Sequence, residues 1–135
     1  MFITRIVVMV LAAVFILSMP ACMSAPAQYL SVGRSSNGKE VRMAMYGTLV
    51  VTLESAPTET DYRWSEKAVI SDKDVIKQAG YNQGLRDEPP RTMNYQTWTF
   101  TTLKSGESVI SLEYRPAYDP EAPAADLFTL DVNVR

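Results

Sequence analysis

The residue types that carry out nucleophilic or zinc-assisted catalysis are nearly missing from this sequence. Its 135 residues include no histidine and a single cysteine, Cys22. Ser-His and Cys-His mechanisms need an imidazole base to accept the proton of the nucleophile. A zinc site needs His or Cys ligands, and no glycine-rich phosphate-binding loop occurs. The sequence therefore predicts a protein that is not an enzyme and that has no cofactor and no metal.

Carboxylates are the remaining candidates for chemistry. The pairs Asp72/Asp74 and Asp87/Glu88 could in principle serve as the acid and base of a glycosidase. Calcium could be bound by the carboxylates of the segment 119–126, which contains Asp119, Glu121 and Asp126. The spacing of these three does not match a calcium-binding loop, and charged residues in turns are usually solvated. We therefore expect solvated turns at all of these positions.

The first 27 residues differ in composition from the rest. Arg5 precedes an apolar run, 6–19, which is too short to span a bilayer comfortably and is typical of a signal-peptide core. Ala21 and Cys22 then end the segment "SMPAC", which resembles the lipobox of bacterial lipoproteins. The sequence predicts a signal peptide over 1–21, a lipidated N-terminus and short linker over 22–28, and one domain over 29–135. Cleavage after Ala27 and a retained membrane anchor remain alternatives.

Charge restricts the partners of this domain. The chain has 15 acidic and 13 basic residues, so its net charge is −3 once Arg5 is removed with the leader. A nucleic-acid-binding surface needs a basic stripe, and binding to anionic lipid by charge alone needs a basic segment. A mildly acidic domain is therefore not expected to bind nucleic acid, or to bind anionic lipid by charge alone. Membrane attachment is therefore expected through Cys22 only. Met23 stands where Asp would retain a lipoprotein in the inner membrane, which predicts the outer membrane of a bacterial envelope, facing the periplasm.

The domain shows the alternation of β-strands with one buried face. Apolar residues recur at every second position in 41–45, 49–53, 98–100, 110–114 and 128–134. Asn37-Gly38 is a strong hairpin signal, and glycines at 47 and 106 suit tight turns. The segment 71–78 is compatible with a short helix or an edge strand, and we favour a strand over 75–79. This pattern predicts an all-β sandwich or barrel, without a disulfide because there is one cysteine, and with these residues inside: Trp64, Trp98, Phe100, Leu112, Leu130 and Val132.

Three connections between the predicted strands are longer, or richer in proline and charged residues, than simple turns. They are 55–61, the long segment 81–94 and the Pro- and Ala-rich segment 115–126. We interpret 81–94 and 115–126 as irregular loops. Loops of a β-sandwich can gather at one end and bind a partner there.

The connections and their flanking strands resemble the chagasin-like inhibitors of papain-family cysteine peptidases. The similarity is carried by "PTETDYRW" (57–64), "QTWTFTTLKSGES" (96–108) and "LEYRP" (112–116), and it covers about 29–135. The resemblance implies an Ig-like antiparallel β-sandwich of about seven strands that presents three loops to the protease cleft. The partner-binding residues it implies are Pro57, Thr58, Glu59, Thr60 and Asp61 in the first loop, Arg91, Thr92, Met93 and Asn94 in the second, and Arg115, Pro116 and Tyr118 in the third.

The loops depart from the family pattern at their tips. Asp61 replaces a glycine, 91–94 contains no glycine, and Ala117 replaces an aromatic residue, with Tyr118 one position later. Aspartate tolerates the left-handed backbone region better than most residues, but its charge would be unfavourable in a desolvated cleft. Two hypotheses therefore remain. The protein is an envelope lipoprotein that occludes papain-like peptidases, or it is a non-inhibitory Ig-like binding or structural subunit of an envelope assembly.

Overall fold

The computed structural model describes residues 28–55, 61–88 and 91–135. The predicted signal peptide, Cys22 and the linker up to residue 27 lie outside the described residues, as do Pro57, Thr58, Glu59 and Thr60. The described part contains a 3₁₀ turn at Arg34–Ser36 and nine strands: β1 (Tyr29–Val32), β2 (Lys39–Met43), β3 (Thr48–Ser55), β4 (Tyr62–Trp64), β5 (Val69–Ile70), β6 (Ile76–Glu88), β7 (Arg91–Thr102), β8 (Gly106–Pro116) and β9 (Asp126–Val134).

The strands form the two packed sheets of an Ig-like sandwich. One sheet has the order β1-β3-β7-β6, and the other has the order β2-β9-β8-β4 with β5 also pairing with β8. The predicted all-β sandwich without a disulfide is confirmed. The described residues form nine strands, whereas about seven were expected, and the nine include two very short ones, β4 and β5, with 3 and 2 residues. Two edge pairs, β1 with β3 and β2 with β9, are parallel rather than antiparallel.

The core lies between the inner faces of the two sheets. Each sheet contributes the alternate residues of its central strands, and the six residues predicted to be inside are all at most 3% exposed. Trp98 shows how closely these layers are joined. Its indole N–H donates to the carbonyl oxygens of Ser65 and Glu66 at 3.1 and 3.0 Å, and its ring packs against Tyr81. The alternation fails at Met45, which is 43% exposed because the chain has already entered a turn there.

The prediction of an irregular loop over 81–94 is wrong. Strands β6 and β7 form one long hairpin that pairs continuously from Ile76 opposite Thr102 to Glu88 opposite Arg91, with an irregularity between Gln78 and Gly80. The residues of this segment have low β-propensity, but strand propensity depends on the neighbouring strand, and β7 supplies that neighbour. The strand favoured at 75–79 over a helix is confirmed, starting at Ile76.

The Asn37-Gly38 pair also has a different role from the one predicted. It follows β1 in one sheet and precedes β2 in the other, so it belongs to a crossover between sheets and not to a two-stranded hairpin. Gly38 has φ +74°, where glycine avoids a steric penalty. The backbone N–H of Gly38 donates to the carbonyl oxygen of Thr129 at 2.8 Å.

The sandwich has two distinct ends. We call the "base end" the one formed by Gln28, the turn 44–47, the segment 71–75, the turn 103–105 and Arg135, which are linked by backbone hydrogen bonds such as Thr48 N–H to the carbonyl of Gln28 and Arg135 N–H to that of Met43. The "loop end" is the opposite one, where β3 ends, β4 begins, the paired strands β6 and β7 reach Glu88 and Arg91, and β8 ends.

Candidate functional site

The first and third predicted loops are neighbours at the loop end. Tyr62, the first residue of β4, pairs with Pro116, the last residue of β8. Directly beyond this pair, the backbone N–H of Ala117 donates to the carbonyl oxygen of Asp61 at 2.6 Å. The two loops therefore share a hydrogen-bonded base, and their positions are coupled.

The β6–β7 hairpin reaches past the end of β3 on the same side of the molecule. Ser55, the last residue of β3, lies opposite Asn94 of β7. Beyond Asn94, β6 and β7 continue as a two-stranded ribbon up to Glu88 opposite Arg91. The chain thus enters the 56–60 connection beside a projecting ribbon. The structure brings the flanks of all three predicted loops to one end of the sandwich.

A buried glutamine that the sequence analysis did not single out joins the two sheets beneath this site. The side-chain oxygen of Gln96, on β7, accepts the backbone N–H of Trp64 at 2.8 Å. Its amide nitrogen donates to the carbonyl oxygen of Trp64 at 2.9 Å and to the hydroxyl of Tyr81 at 2.8 Å. Gln96 is fully buried. The sequence signal for its burial was its position two residues before Trp98, which places both side chains on the inward face of the strand.

The tryptophan held by Gln96 also ties together both flanks of the first loop. The indole N–H of Trp64 donates to the carbonyl oxygen of Glu54 at 3.1 Å. Glu54 lies near the end of β3, and Trp64 ends β4, so the contact spans the connection that carries the first loop. This hydrogen bond and the Asp61–Ala117 bond fix where the loop leaves and re-enters the sandwich.

Asp61 is presented at the loop end in an unusual backbone conformation. Its side chain is exposed, and its φ is 53°, in the left-handed region. Aspartate is among the few residues other than glycine that adopt this region with tolerable strain. Asp61 thus replaces the family's glycine at a position where the backbone requirement for a positive φ is still present.

In the third loop, arginine and tyrosine have different environments. Arg115 is half-buried, forms an ion pair with Glu113, and donates to the carbonyl oxygen of Pro120 at 2.9 Å. It therefore holds the 117–125 segment against β8. Pro116 is buried, whereas Tyr118 is 74% exposed. Of the predicted residues in this loop, Tyr118 is the one available to a partner.

The residues predicted to form the second loop lie in a strand and not at the tip of a loop. Arg91 and Thr92 lie in β7, with their backbones paired to Glu88 and Asp87. Met93 is half-buried, and Asn94 is only 6% exposed because it lies between β3 and β6 in the sheet. A partner approaching the loop end would meet the ribbon beyond Asn94 rather than Asn94 itself.

A shallow groove runs beside the joined loops. Its volume is about 430 Å³, and its lining includes Arg63, Tyr81, Arg115, Pro116 and Ala117. Arg63 and Arg115 lie directly opposite each other on β4 and β8, and Arg63 donates to the side-chain oxygen of Gln83 at 3.0 Å. The groove also contains Glu66 and Glu113, so it combines guanidinium and carboxylate groups with aromatic and proline surface, which suits polar side chains of a protein partner.

The described residues also bear on metal binding and on membrane spanning. Over residues 28–55, 61–88 and 91–135, no three His, Cys, Asp or Glu side chains gather closely enough to bind a metal ion. In the segment 119–126, which was considered for calcium and expected to be a solvated turn, Asp126 forms an ion pair with Arg34. Within the same ranges, none of the helical segments has the length and hydrophobicity needed to cross a membrane.

Comparison with known proteins identifies one family. The family model for chagasin family peptidase inhibitors (I42) matches residues 42–132. The structure is similar to a cysteine protease inhibitor of Entamoeba histolytica, EhICP2, with a TM-score of 0.70 and 15% identity over 82% of this chain and 100% of that one. It is also similar to PbICP-C, solved in complex with falcipain-2, with a TM-score of 0.54 and 14% identity over 81% and 100% of the two chains.

A third solved structure, amebosin, has 24% identity and a TM-score of 0.51 over 81% of this chain and 100% of that one. At such identities these likenesses show the fold alone. No protein with a curated description matches the sequence.

Proposed function

The chain belongs to the chagasin family of peptidase inhibitors, whose members are inhibitors and not enzymes, and from this premise we propose that it occludes the active-site cleft of a papain-like cysteine peptidase. The loop end is the surface that does so. The first loop, 56–61, enters the cleft, and the β6–β7 ribbon and the segment from 116 to 118 contact its two rims.

The observation that carries this proposal is the shared base of the three loops. Asp61 and Ala117 are hydrogen-bonded to each other, Trp64 spans the first loop, and Gln96 fixes Trp64 to the opposite sheet. A loop with such anchored flanks loses little conformational entropy on binding. Anchored flanks would also restrict the approach of the loop's peptide bonds to the attacking thiolate, so the loop would fill the cleft without being cut.

A solved relative supports the choice of partner. PbICP-C, which shares this fold at 14% identity, was solved in complex with falcipain-2. We infer by analogy that this sandwich also binds a cysteine peptidase, and we assign the contact to its loop end. The lack of histidine in the chain agrees with a recognition role rather than a catalytic one.

The proposal includes the location of the protein. We propose that Cys22 is the lipidated N-terminus of an envelope lipoprotein, in the outer membrane and facing the periplasm, because an apolar run ends in Ala21-Cys22 and Met23 follows. In that location the protein would protect envelope components from peptidases that reach the periplasm.

A second function is favoured by Asp61 and Asn94. The exposed carboxylate of Asp61 flanks the loop that would face a catalytic thiolate, and Asn94 is buried rather than presented. Both features would suit a non-inhibitory subunit that docks onto another envelope protein. In that case the loop end is still the binding surface, but its partner is not a peptidase.

The deciding experiment is an inhibition assay against papain and cathepsin L with a matched pair of variants. Tyr118 at the loop end and Tyr29 at the base end are 74% and 67% exposed. We expect wild type and Tyr29→Ala to inhibit equally, and Tyr118→Ala to inhibit more weakly, by about 1–3 kcal/mol of binding free energy as for an exposed aromatic anchor. Absence of inhibition by wild type at micromolar concentration would leave the second function.

A further inference from the structure

The base end of the sandwich displays three large side chains with apolar surface. Tyr29 is 67% exposed, Met45 is 43% exposed and Tyr46 is 71% exposed. Tyr29 opens β1 beside Thr48, and the other two lie in the turn between β2 and β3. None of the three belongs to the loop end, so the proposed inhibition gives them no role.

The turn that carries Met45 and Tyr46 is held firmly. Tyr46 N–H donates to the carbonyl oxygen of Thr102 at 2.8 Å, and Gly47 N–H donates to the Thr102 hydroxyl at 2.8 Å. That hydroxyl in turn donates to the carbonyl oxygen of Ala44 at 2.7 Å. A turn fixed in this way presents its outward side chains in a defined direction.

Tyr46 occupies a backbone conformation that disfavours it. Its φ is 62°, in the left-handed region, where a bulky residue is a genuine outlier. Glycine or asparagine at this position would avoid the strain. An exposed tyrosine kept where a small residue would be more stable points to a contact made by its side chain.

The start of the described chain lies against the same turn. The side-chain oxygen of Gln28 accepts the N–H of Ala44 at 2.7 Å, and its backbone carbonyl accepts the N–H of Thr48 at 2.8 Å. Gln28 is the sixth residue after Cys22. An extended chain of that length spans at most about 20 Å, so a lipid on Cys22 holds the base end close to the bilayer.

We propose that the base end is a membrane-contacting surface, on which Tyr29, Met45 and Tyr46 lie in the headgroup interface of the bilayer that anchors Cys22. This inference rests on the proposed lipid anchor. Tyrosine suits that depth because its ring is apolar and its hydroxyl remains hydrated, and methionine adapts to irregular apolar surroundings.

The charges at this end indicate how the contact is made. Lys73, Lys104 and Arg135 belong to the base end, and Asp72 and Asp74 lie beside Lys73. The two carboxylates offset most of this positive charge, so the surface is not a basic patch of the kind that selects anionic lipid. The contact is therefore made through the tyrosines and the methionine, and it depends little on salt concentration.

This contact gives the molecule an orientation. Strands β3, β6 and β7 extend between the base end and the loop end, so a base end resting on the bilayer directs the peptidase-binding loops away from it. The short tether alone would limit the distance to the membrane but not the tilt. The displayed side chains supply the additional contact that sets the tilt.

The test uses the full-length protein in isolated membranes, with a nitroxide label on a cysteine introduced at one position. Tyr46→Cys and Tyr29→Cys report on the base end, and Tyr118→Cys is the control at the loop end, with similar exposure. Collisions with oxygen, which concentrates in lipid, are compared with collisions with a water-soluble nickel chelate. Mass spectrometry of the N-terminal peptide determines in parallel whether Cys22 is acylated.

We expect acylated Cys22 and an oxygen-to-nickel collision ratio several-fold higher at positions 46 and 29 than at 118, unchanged in high salt. With Cys22 acylated, equal ratios at both ends would overturn the inference and leave the lipid anchor standing. Labels at 46 and 29 that are shielded from both reagents would indicate a protein partner and overturn it as well. Without acylation the anchor is lost, and the same ratio then shows whether the base end contacts lipid by itself.

Discussion

Asp61 is the residue whose identity bears most directly on inhibition. Its backbone has a φ of 53°, and its carboxylate is exposed beside the first loop. A glycine would adopt this conformation without strain and would add no charge. In a desolvated cleft containing a thiolate, a second negative charge is unfavourable because of both repulsion and lost hydration.

We predict that Asp61→Gly strengthens inhibition of a papain-like peptidase at least tenfold, which is about 1.4 kcal/mol. Loss of the carboxylate supplies this gain, because its repulsion and its desolvation arise only in the complex. The strain at φ 53° is already present in the free protein, so its relief affects folding stability. The measurement is the inhibition constant of each protein on one enzyme. Asp61→Asn, which keeps the tolerance for positive φ and loses the charge, should strengthen inhibition to a similar extent. An unchanged constant for Asp61→Gly would show that residue 61 lies outside the contact.

Gly106 is a residue at which backbone and packing act together on stability. Its φ is +148°, and an added Cβ would lie 2.9 Å from a methyl carbon of Val75. We predict that Gly106→Ala destabilises the fold by about 1–3 kcal/mol, through strain and overpacking, as measured by denaturant unfolding. Gly84→Ala is the control, since nothing lies within 4 Å of its added Cβ. Equal stabilities for the two variants would contradict this account.

At the scale of elements, Gln96 is one of the side chains that join the two sheets, together with Trp64 and Trp98. The side chain of Gln96 in β7 accepts a hydrogen bond from the backbone N–H of Trp64 in β4 and donates one to the carbonyl oxygen of the same residue. Strand β4 has only 3 residues, so its own pairing with β8 is short. The glutamine completes the hydrogen bonding of this strand and sets the position from which the first loop is displayed.

We predict that Gln96→Leu costs about 1–3 kcal/mol of folding stability, because two buried backbone groups of Trp64 lose their partner. Inhibition should weaken as well, since the flank of the first loop is no longer fixed. The control is Gln83→Leu on the exposed face of the hairpin, where the lost hydrogen bond to Arg63 is solvent-exposed. A Gln96→Leu protein with the unfolding midpoint and inhibition constant of wild type would exclude this positioning role.

At the scale of the whole molecule, the proposed functions would give the two ends of the sandwich separate tasks. The loop end carries the joined loops and the ribbon, and the base end carries Gln28, the first described residue. An inhibitor tethered at one end and binding at the other can engage a soluble peptidase while remaining on a surface. This arrangement requires that the tether be attached upstream of Gln28.

We predict that cells given a palmitate analogue label the wild-type protein and that Cys22→Ala abolishes the label, because the chain has no other cysteine and acyl transfer to lipoproteins requires that thiol. Ser24→Ala serves as the control, since it changes a neighbouring hydroxyl and keeps the thiol. Label retained in Cys22→Ala, or a mature N-terminus at Gln28, would show that the chain is processed differently.

The sequence alone determined which residues face the core and which chemistry the protein lacks. Alternation places Trp98 and Phe100 on one face of a strand whatever that strand pairs with, because side chains alternate along any extended chain. The absence of histidine excludes imidazole catalysis without reference to any fold. Similarity over most of the domain was sufficient to predict an Ig-like sandwich.

Only the tertiary structure decided how the ends are built. The polar segment 81–88 became a strand because β7 lies beside it, and Asn94 became buried because β3 pairs there. The hydrogen bonds of Gln96 join it to Trp64, 32 positions earlier in the chain, and the pairing of Tyr29 with Thr48 brings Tyr29 to the same end as Tyr46. Contacts of this kind depend on strand order and register, which are set by the packing of the whole domain and not by local residue pattern.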